Sequence, residues 1–83
     1  MGFRQSALID VVCDEFEQAW VAGEAPKIEN YMNRAGEESR MDTFRELLKV
    51  EIELRRSANE LVTTADYLNR FPGLESVIID TYG

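Results

Sequence analysis

Sixteen Asp and Glu against nine Lys and Arg give this 83-residue chain a formal charge of −7, which repels a phosphate backbone and argues against nucleic acid as a partner. A chain of this length forms one domain and buries only about 60% of its unfolded surface, so its core is thin. At 45% hydrophobic and 30% charged residues it is too apolar for a disordered segment and ordinary for a folded domain.

Across residues 3–22, Leu8, Ile9, Val12, Phe16, Ala19 and Trp20 recur at three- and four-residue steps, with Asp10, Asp14, Glu17 and Val21 opposite. That spacing predicts an amphipathic helix. It stops at "AGEAP": Gly23 suits a left-handed C-terminal cap, and Pro26 disfavours helix in the residue before it. Lys27 to Arg34 carries Ile28, Tyr31 and Met32 on one face, which predicts two further helical turns. A second long helix is expected over residues 37–57, with Glu37, Glu38 and Asp42 early and Arg55 and Arg56 late, as the helix macrodipole favours. Met41, Phe44, Leu48 and Ile52 form its stripe, Leu47 and Leu54 widen it, and Glu51 to Arg55 has the spacing of a favourable i,i+4 pair. "SANELV" breaks the pattern. Thr63 and Asp66 have capping-box spacing, with Asp in place of the usual Glu or Gln, and announce a short helix from Ala65 to Arg70. Phe71-Pro72-Gly73 ends it, and "LESVIIDTY" reads as a last helix of two to three turns. Its Val77, Ile78, Ile79 run would also suit a strand, for which the rest of the chain provides no partner.

The chain nearly repeats itself. "YMNRAG" at residues 31–36 is answered by "YLNRFP" at 67–72, and the same shift of 36 sets Val12 on Leu48, Glu15 on Glu51, Phe16 on Ile52, Glu17 on Glu53 and Glu24 on Glu60. Amphipathic helices align some apolar positions under any shift, yet here each half is a long helix, a tight break and a short helix. Tetratricopeptide arrays have a similar period, but their Trp, Gly and Ala signature is absent and three or more repeats are normally needed. The expectation is therefore an all-α single domain over residues 1–83. It would be a small bundle of two long and two to three short helices, built as a pseudo-symmetric antiparallel pair of halves that close each other's open faces.

Catalytic chemistry finds little support. Histidine is absent, removing the commonest general base and metal ligand. The single cysteine, Cys13, closes no internal disulfide, builds no thiolate metal site and has no histidine to activate it; at the edge of the apolar stripe it reads as a small filler. Asp14, Glu15 and Glu17 offer carboxylates but lie on a helix flank, where such groups are normally solvated. The five glycines are dispersed, with no phosphate-cradling pattern. No catalytic, cofactor-binding or metal residue is assigned, and no binding residue either. An enzyme in its own right would need a cleft lined by three or more polar groups, whose absence would dismiss that reading; the packed halves are expected to leave no working pocket. Glu15 and Glu51 are the odd positions. Glu51 falls among Phe44, Leu47 and Leu54, where an isolated carboxylate is costly, so Arg34, Arg70, Tyr31 or Tyr67 is expected to pair with it, and Glu15 to find the symmetric partner; the bland alternative sets both at the rim in water. Trp20 and Val21 are the candidate binding anchors, although the helical phase of Trp20 points to the core. Ser6, Thr43, Thr63 and Thr64 carry modifiable hydroxyls, and no motif selects among them. No apolar run is long enough for a membrane span, and acidic residues arrive too early for a secretory signal. Met1, Gly2 and Ser6 touch an acylation pattern that Phe3 and Arg4 do little to support. With its lone cysteine the chain is read as cytoplasmic.

"CDEFEQAWVAGEAPKIENYM" followed by "FRELLKVEIELRRSANELVTTADYLNRFPGLESVI" resembles the region ahead of the catalytic domain in serine/threonine protein kinases of planctomycete-type bacteria. That region commonly reads Cys-Asp-x-Phe-Glu-x-x-Trp, a Gly-x-x-Pro-x-Ile-Glu turn, Leu-Leu-x-x-Glu-Leu-Glu-x-Arg-Arg and Tyr-x-x-Arg-Phe-Pro. The likeness runs from about Cys13 to Ile78 and departs from the pattern at turns: Ala25 to Lys27 has fewer arginines, and "SANELVTT" replaces a Gly-Glu-x-Pro sequence. It implies a non-catalytic regulatory or protein-interaction module, excised from a longer chain that continues into a kinase beyond Gly83. Such a module would dock a protein partner or the kinase domain itself. None of the kinase's Gly-rich loop, Val-Ala-Ile-Lys, His-Arg-Asp or Asp-Phe-Gly motifs is present, so the resemblance carries no ATP or magnesium site onto this chain. The alternative is a free-standing acidic adaptor or inhibitor that covers a basic partner surface, as the charge of −7 would allow.

Overall fold

The computed structural model describes the backbone of residues 3–82 and the side chains of residues 8–81. Met1, Gly2 and Gly83 lie outside them, as does the side chain of Ser6, so the acylation pattern falls outside the described residues. Four α-helices follow in order: α1 (Phe3–Val21), α2 (Arg40–Ser57), α3 (Thr64–Arg70) and α4 (Glu75–Tyr82). Single 3-10 turns stand at Ile28–Asn30 and Glu37–Ser39, and no strand occurs among the described residues. The fold is all-α, and Val77 to Ile79 is helical.

The breaks are made by backbone chemistry. After α1, Gly23 adopts φ +81, its N–H bonds the Trp20 carbonyl and the Glu24 N–H bonds that of Ala19. After α2, Asn59 adopts φ +61, its N–H bonds the Arg56 carbonyl and the Glu60 N–H bonds that of Arg55. Both are Schellman closures with a left-handed residue just past the last turn, and they fall at positions 23 and 59, one repeat apart. At the start of α3, the Thr63 hydroxyl accepts from the Asp66 N–H, as the capping-box spacing predicts.

The segment Lys27 to Arg34 departs from expectation. It forms the single 3-10 turn Ile28–Asn30 followed by a run of turns, in place of two full helical turns. A single tighter turn is enough to seat Ile28 and Met32 in the core.

The halves also pack differently from the expected antiparallel pair. Ile9 and Asp10 share a cavity wall with Asp42, Arg45 and Glu46, while Trp20 and Gly23 share another with Glu51 and Arg55. Like ends therefore lie together, and α1 and α2 run in the same direction. The chain returns within each half: the second-half Arg70 comes back to Glu51, the first-half Arg34 to Glu15. α2 is central, packed on α1, on α4 and on both 3-10 turns. A short extent of 19 Å beside 38 and 30 Å matches two helix layers, each about 10 Å thick. Ile9, Val12 and Phe16 of α1, Phe44, Leu47, Leu48 and Ile52 of α2, Ile28, Met32, Ala35, Tyr67, Phe71 and Ile78 form one core.

Candidate functional site: a charged lock beneath a groove

Glu51 lies on the inner side of α2 and is 2% exposed. Arg70, the last residue of α3, sends Nη1 to both of its carboxylate oxygens, at 3.0 and 3.3 Å. The same guanidinium reaches back to the first half, donating from Nη2 to Glu29 Oε1 at 3.1 Å and from Nε to Glu29 Oε2 at 3.4 Å. One arginine thus ties α2, α3 and the 3-10 turn Ile28–Asn30 together, bidentate on Glu29 and with one nitrogen shared between the two oxygens of Glu51. Its plane also sits over Phe71, 4.9 Å from the ring centre.

Around this pair Tyr67 is fully buried. Its hydroxyl accepts from Arg55 Nη1 at 3.3 Å and is hydrogen-bonded to Glu51. Arg55 also donates from Nε to Glu60 at 3.2 Å. The expected Glu51–Arg55 i,i+4 pair is replaced by these longer-range bonds, because Glu51 points inward to Arg70 while Arg55 reaches over Tyr67 to Glu60. Burial and the Glu51 charge push the Tyr67 hydroxyl up to about 12, against the opposing pull of Arg55. Desolvation would raise Glu29, but its bonds and attraction to Arg70, together with its backbone bond, hold its carboxyl below the usual range. Arg70 is held above its ordinary value: burial works against its charge, and the two glutamates outweigh it.

Positions 15 and 34 reproduce the pair one repeat earlier, at the surface. Arg34 Nη1 stands 3.7 Å from Glu15 Oε1, both side chains about half exposed, and the Arg34 guanidinium rests 4.1 Å from the Tyr31 ring centre. The expected partner type is therefore present for both glutamates, buried at Glu51 and open at Glu15. Ala35 stands where the second half has Phe71, so less bulk covers the first pair.

Over the lock opens a groove of about 390 Å³ lined by Trp20, Gly23, Ala25, Pro26, Glu51, Arg55, Glu60 and Arg70. Four of these residues are charged, so the groove has the three or more polar groups that an enzyme's cleft would need. Its four charged side chains are bound to one another or to Glu29 and Tyr67. Trp20, half-buried and tilted against Phe16 at 6.1 Å, packs on the core as its phase required and also forms a wall of the groove. Cys13 lies away from it, half-buried, its thiol pushed up to about 11 by burial and by Glu46, Asp10 and Asp14, so it is a poor nucleophile. Thr43 is fully buried and donates to the Ser39 carbonyl at 2.7 Å, which closes it to modification in the folded chain. Among the described residues no His, Cys, Asp or Glu group could hold a metal, and no helix is long and apolar enough to cross a membrane.

The convergence at Arg70 was only half legible. A carboxylate on an apolar stripe announced a partner; that Glu29 would share Arg70 carried no local signal, since the two are 41 positions apart. No family model, curated protein or solved structure matches the chain.

Proposed function

We propose that this chain is a non-catalytic regulatory or protein-interaction module that precedes a bacterial serine/threonine kinase domain. The observation that carries the reading is where the resembling motifs meet. Glu29 of the Pro-x-Ile-Glu turn, Glu51 and Arg55 of the Leu-Leu-x-x-Glu segment, and Tyr67, Arg70 and Phe71 of the Tyr-x-x-Arg-Phe-Pro segment come together at one lock. Their bonding gives the motif residues a shared structural role and leaves the surrounding surface to contact partners. The lock offers no unpaired acid–base couple and no activated nucleophile, which favours binding over catalysis.

The test is direct binding of the purified chain to a kinase domain of this bacterial type, together with the rate at which that domain phosphorylates a generic substrate. Binding, or a changed rate, is the expected result; neither at micromolar concentrations overturns the reading. A second reading, an acidic adaptor for a basic protein surface, is favoured by the exposure of Asp10, Asp14 and Glu17 on one side of α1. The reading frame separates the two: continuation into kinase motifs supports the first, and a stop codon directly after Gly83 supports the second.

A further inference from the structure

The internal repeat exposes a helix face whose counterpart is covered. Phe44, Leu47 and Glu51 of α2 are buried, closed over by Arg70 and Phe71 and lying on the helix that packs on α1. One repeat earlier on α1 stand Leu8, Val11 and Glu15. Leu8 is 51% and Val11 55% exposed, and Val21 further along the helix is 77% exposed. Gln18 and Ala22 continue the row, and with Asp14, Glu17 and Val21 they border a shallow depression of about 360 Å³. Asp10, Asp14 and Glu17, all exposed, run along the helix beside this row; Asp14 and Glu17 border the depression, and Asp10 lies toward α2.

From this geometry we infer that the Leu8–Val11–Gln18–Ala22 face of α1 docks a basic amphipathic helix of a protein partner. The inference rests on the reading of the chain as an interaction module and names its surface. Three observations select the occupant. The equivalent face on α2 is covered by Arg70, the last residue of α3, and by Phe71 just beyond it, so the spacing suits cover by a helical segment. The apolar row is narrow and interrupted by Glu15, which fits a stripe recurring every three or four residues better than a flat apolar sheet. The carboxylate flank, on a molecule of charge −7, asks for Lys or Arg along the partner's edge. A second copy fits poorly, because it brings the same charge of −7 to a surface already flanked by carboxylates.

The probe is a synthetic leucine–lysine amphipathic peptide about as long as α1, compared with a twin carrying glutamate for lysine. The lysine peptide is expected to bind in a salt-sensitive manner, gain helicity on binding and shift the amide resonances of Leu8, Val11 and Gln18, while the glutamate twin does not bind. Val11→Asp and Asp14→Lys should each weaken binding by about tenfold, with Ile79→Asp leaving it unchanged. Both altered α1 positions are exposed, so circular dichroism should report an unchanged fold. Equal binding by Val11→Asp, resonance shifts centred on the Trp20 groove, or self-association through this face overturns the assignment. If the chain binds a kinase domain but ignores the lysine peptide, the surface assignment alone fails; if Val11→Asp weakens capture of that domain as well, the assignment is strengthened.

Discussion

Taking the carboxylate of Glu51 away from Arg70 would leave a guanidinium that is 29% exposed with Glu29 as its remaining carboxylate partner, and an empty volume beside Tyr67. Breaking a buried pair from one side costs more than the pair contributes, because the surviving charge has lost its solvent and its partner. Glu51→Ala should therefore lose about 3 kcal/mol in urea unfolding, at the lower end for buried pairs since Glu29 still neutralises Arg70. Glu53→Ala, on the exposed side of the same helix, should lose under about 0.5 kcal/mol. The double variant Glu51→Ala with Arg70→Ala should cost less than the sum of the singles, by about 1 kcal/mol or more. Equal and negligible losses for Glu51→Ala and Glu53→Ala would remove the lock as a stabilising feature. At this scale the sequence was readable wherever a side chain contradicted its neighbours. Glu51 on an apolar stripe demanded a partner, whereas Glu15, in the matching position, gave no sign of its exposure, because that depends on Ala35 being small where Phe71 is large.

Helix boundaries rest on a few left-handed residues. Gly23 at φ +81 closes α1, and an added Cβ there would meet nothing within 4 Å, so any cost of Gly23→Ala is backbone strain alone. Left-handed conformation costs a residue with a Cβ about 1 to 2 kcal/mol, and Gly23→Ala should destabilise by about 1 kcal/mol. Ala25 is held at φ +51 in the same loop, so Ala25→Gly should recover up to about 1 kcal/mol despite the greater freedom of the unfolded chain. Thermal midpoints moving in opposite directions for the two variants would check both; a destabilising Ala25→Gly would show that loop entropy outweighs the strain. Glycine, proline and capping signals made the ends of α1 and α3 legible before any coordinates. The segment after Pro26 keeps Ile28 and Met32 inward but is less helical than its spacing suggests, since periodicity seats Ile28, Tyr31 and Met32 on one face equally well for a single 3-10 turn and for two helical turns.

Over the whole molecule, the all-α class followed from helical periodicity in every apolar segment, but the direction in which the halves stack did not. Parallel and antiparallel stacking of α1 and α2 bury nearly the same stripes, and only tertiary pairing, such as Cys13 near Glu46 at one end and Trp20 beside Arg55 at the other, separates them. With α2 central, its far flank needs a cover of its own, and α4 supplies it. Ile78 is fully buried there, while its neighbour Ile79 is 58% exposed. A domain of this size has a total stability of only roughly 5 to 10 kcal/mol. Ile78→Ala deletes buried methyl groups and leaves a cavity that the two-layer core cannot easily close, so it should cost about 2 to 4 kcal/mol. Ile79→Ala removes solvent-facing carbon and should change stability by under about 0.5 kcal/mol. Urea unfolding followed by far-ultraviolet circular dichroism measures both variants in one assay. A loss confined to Ile78→Ala makes α4 part of the cooperative unit, sealing α2 on the side opposite α1. Equal small losses would mean that α4 frays without unfolding the rest, and that the first two helix-and-break units hold their core on their own.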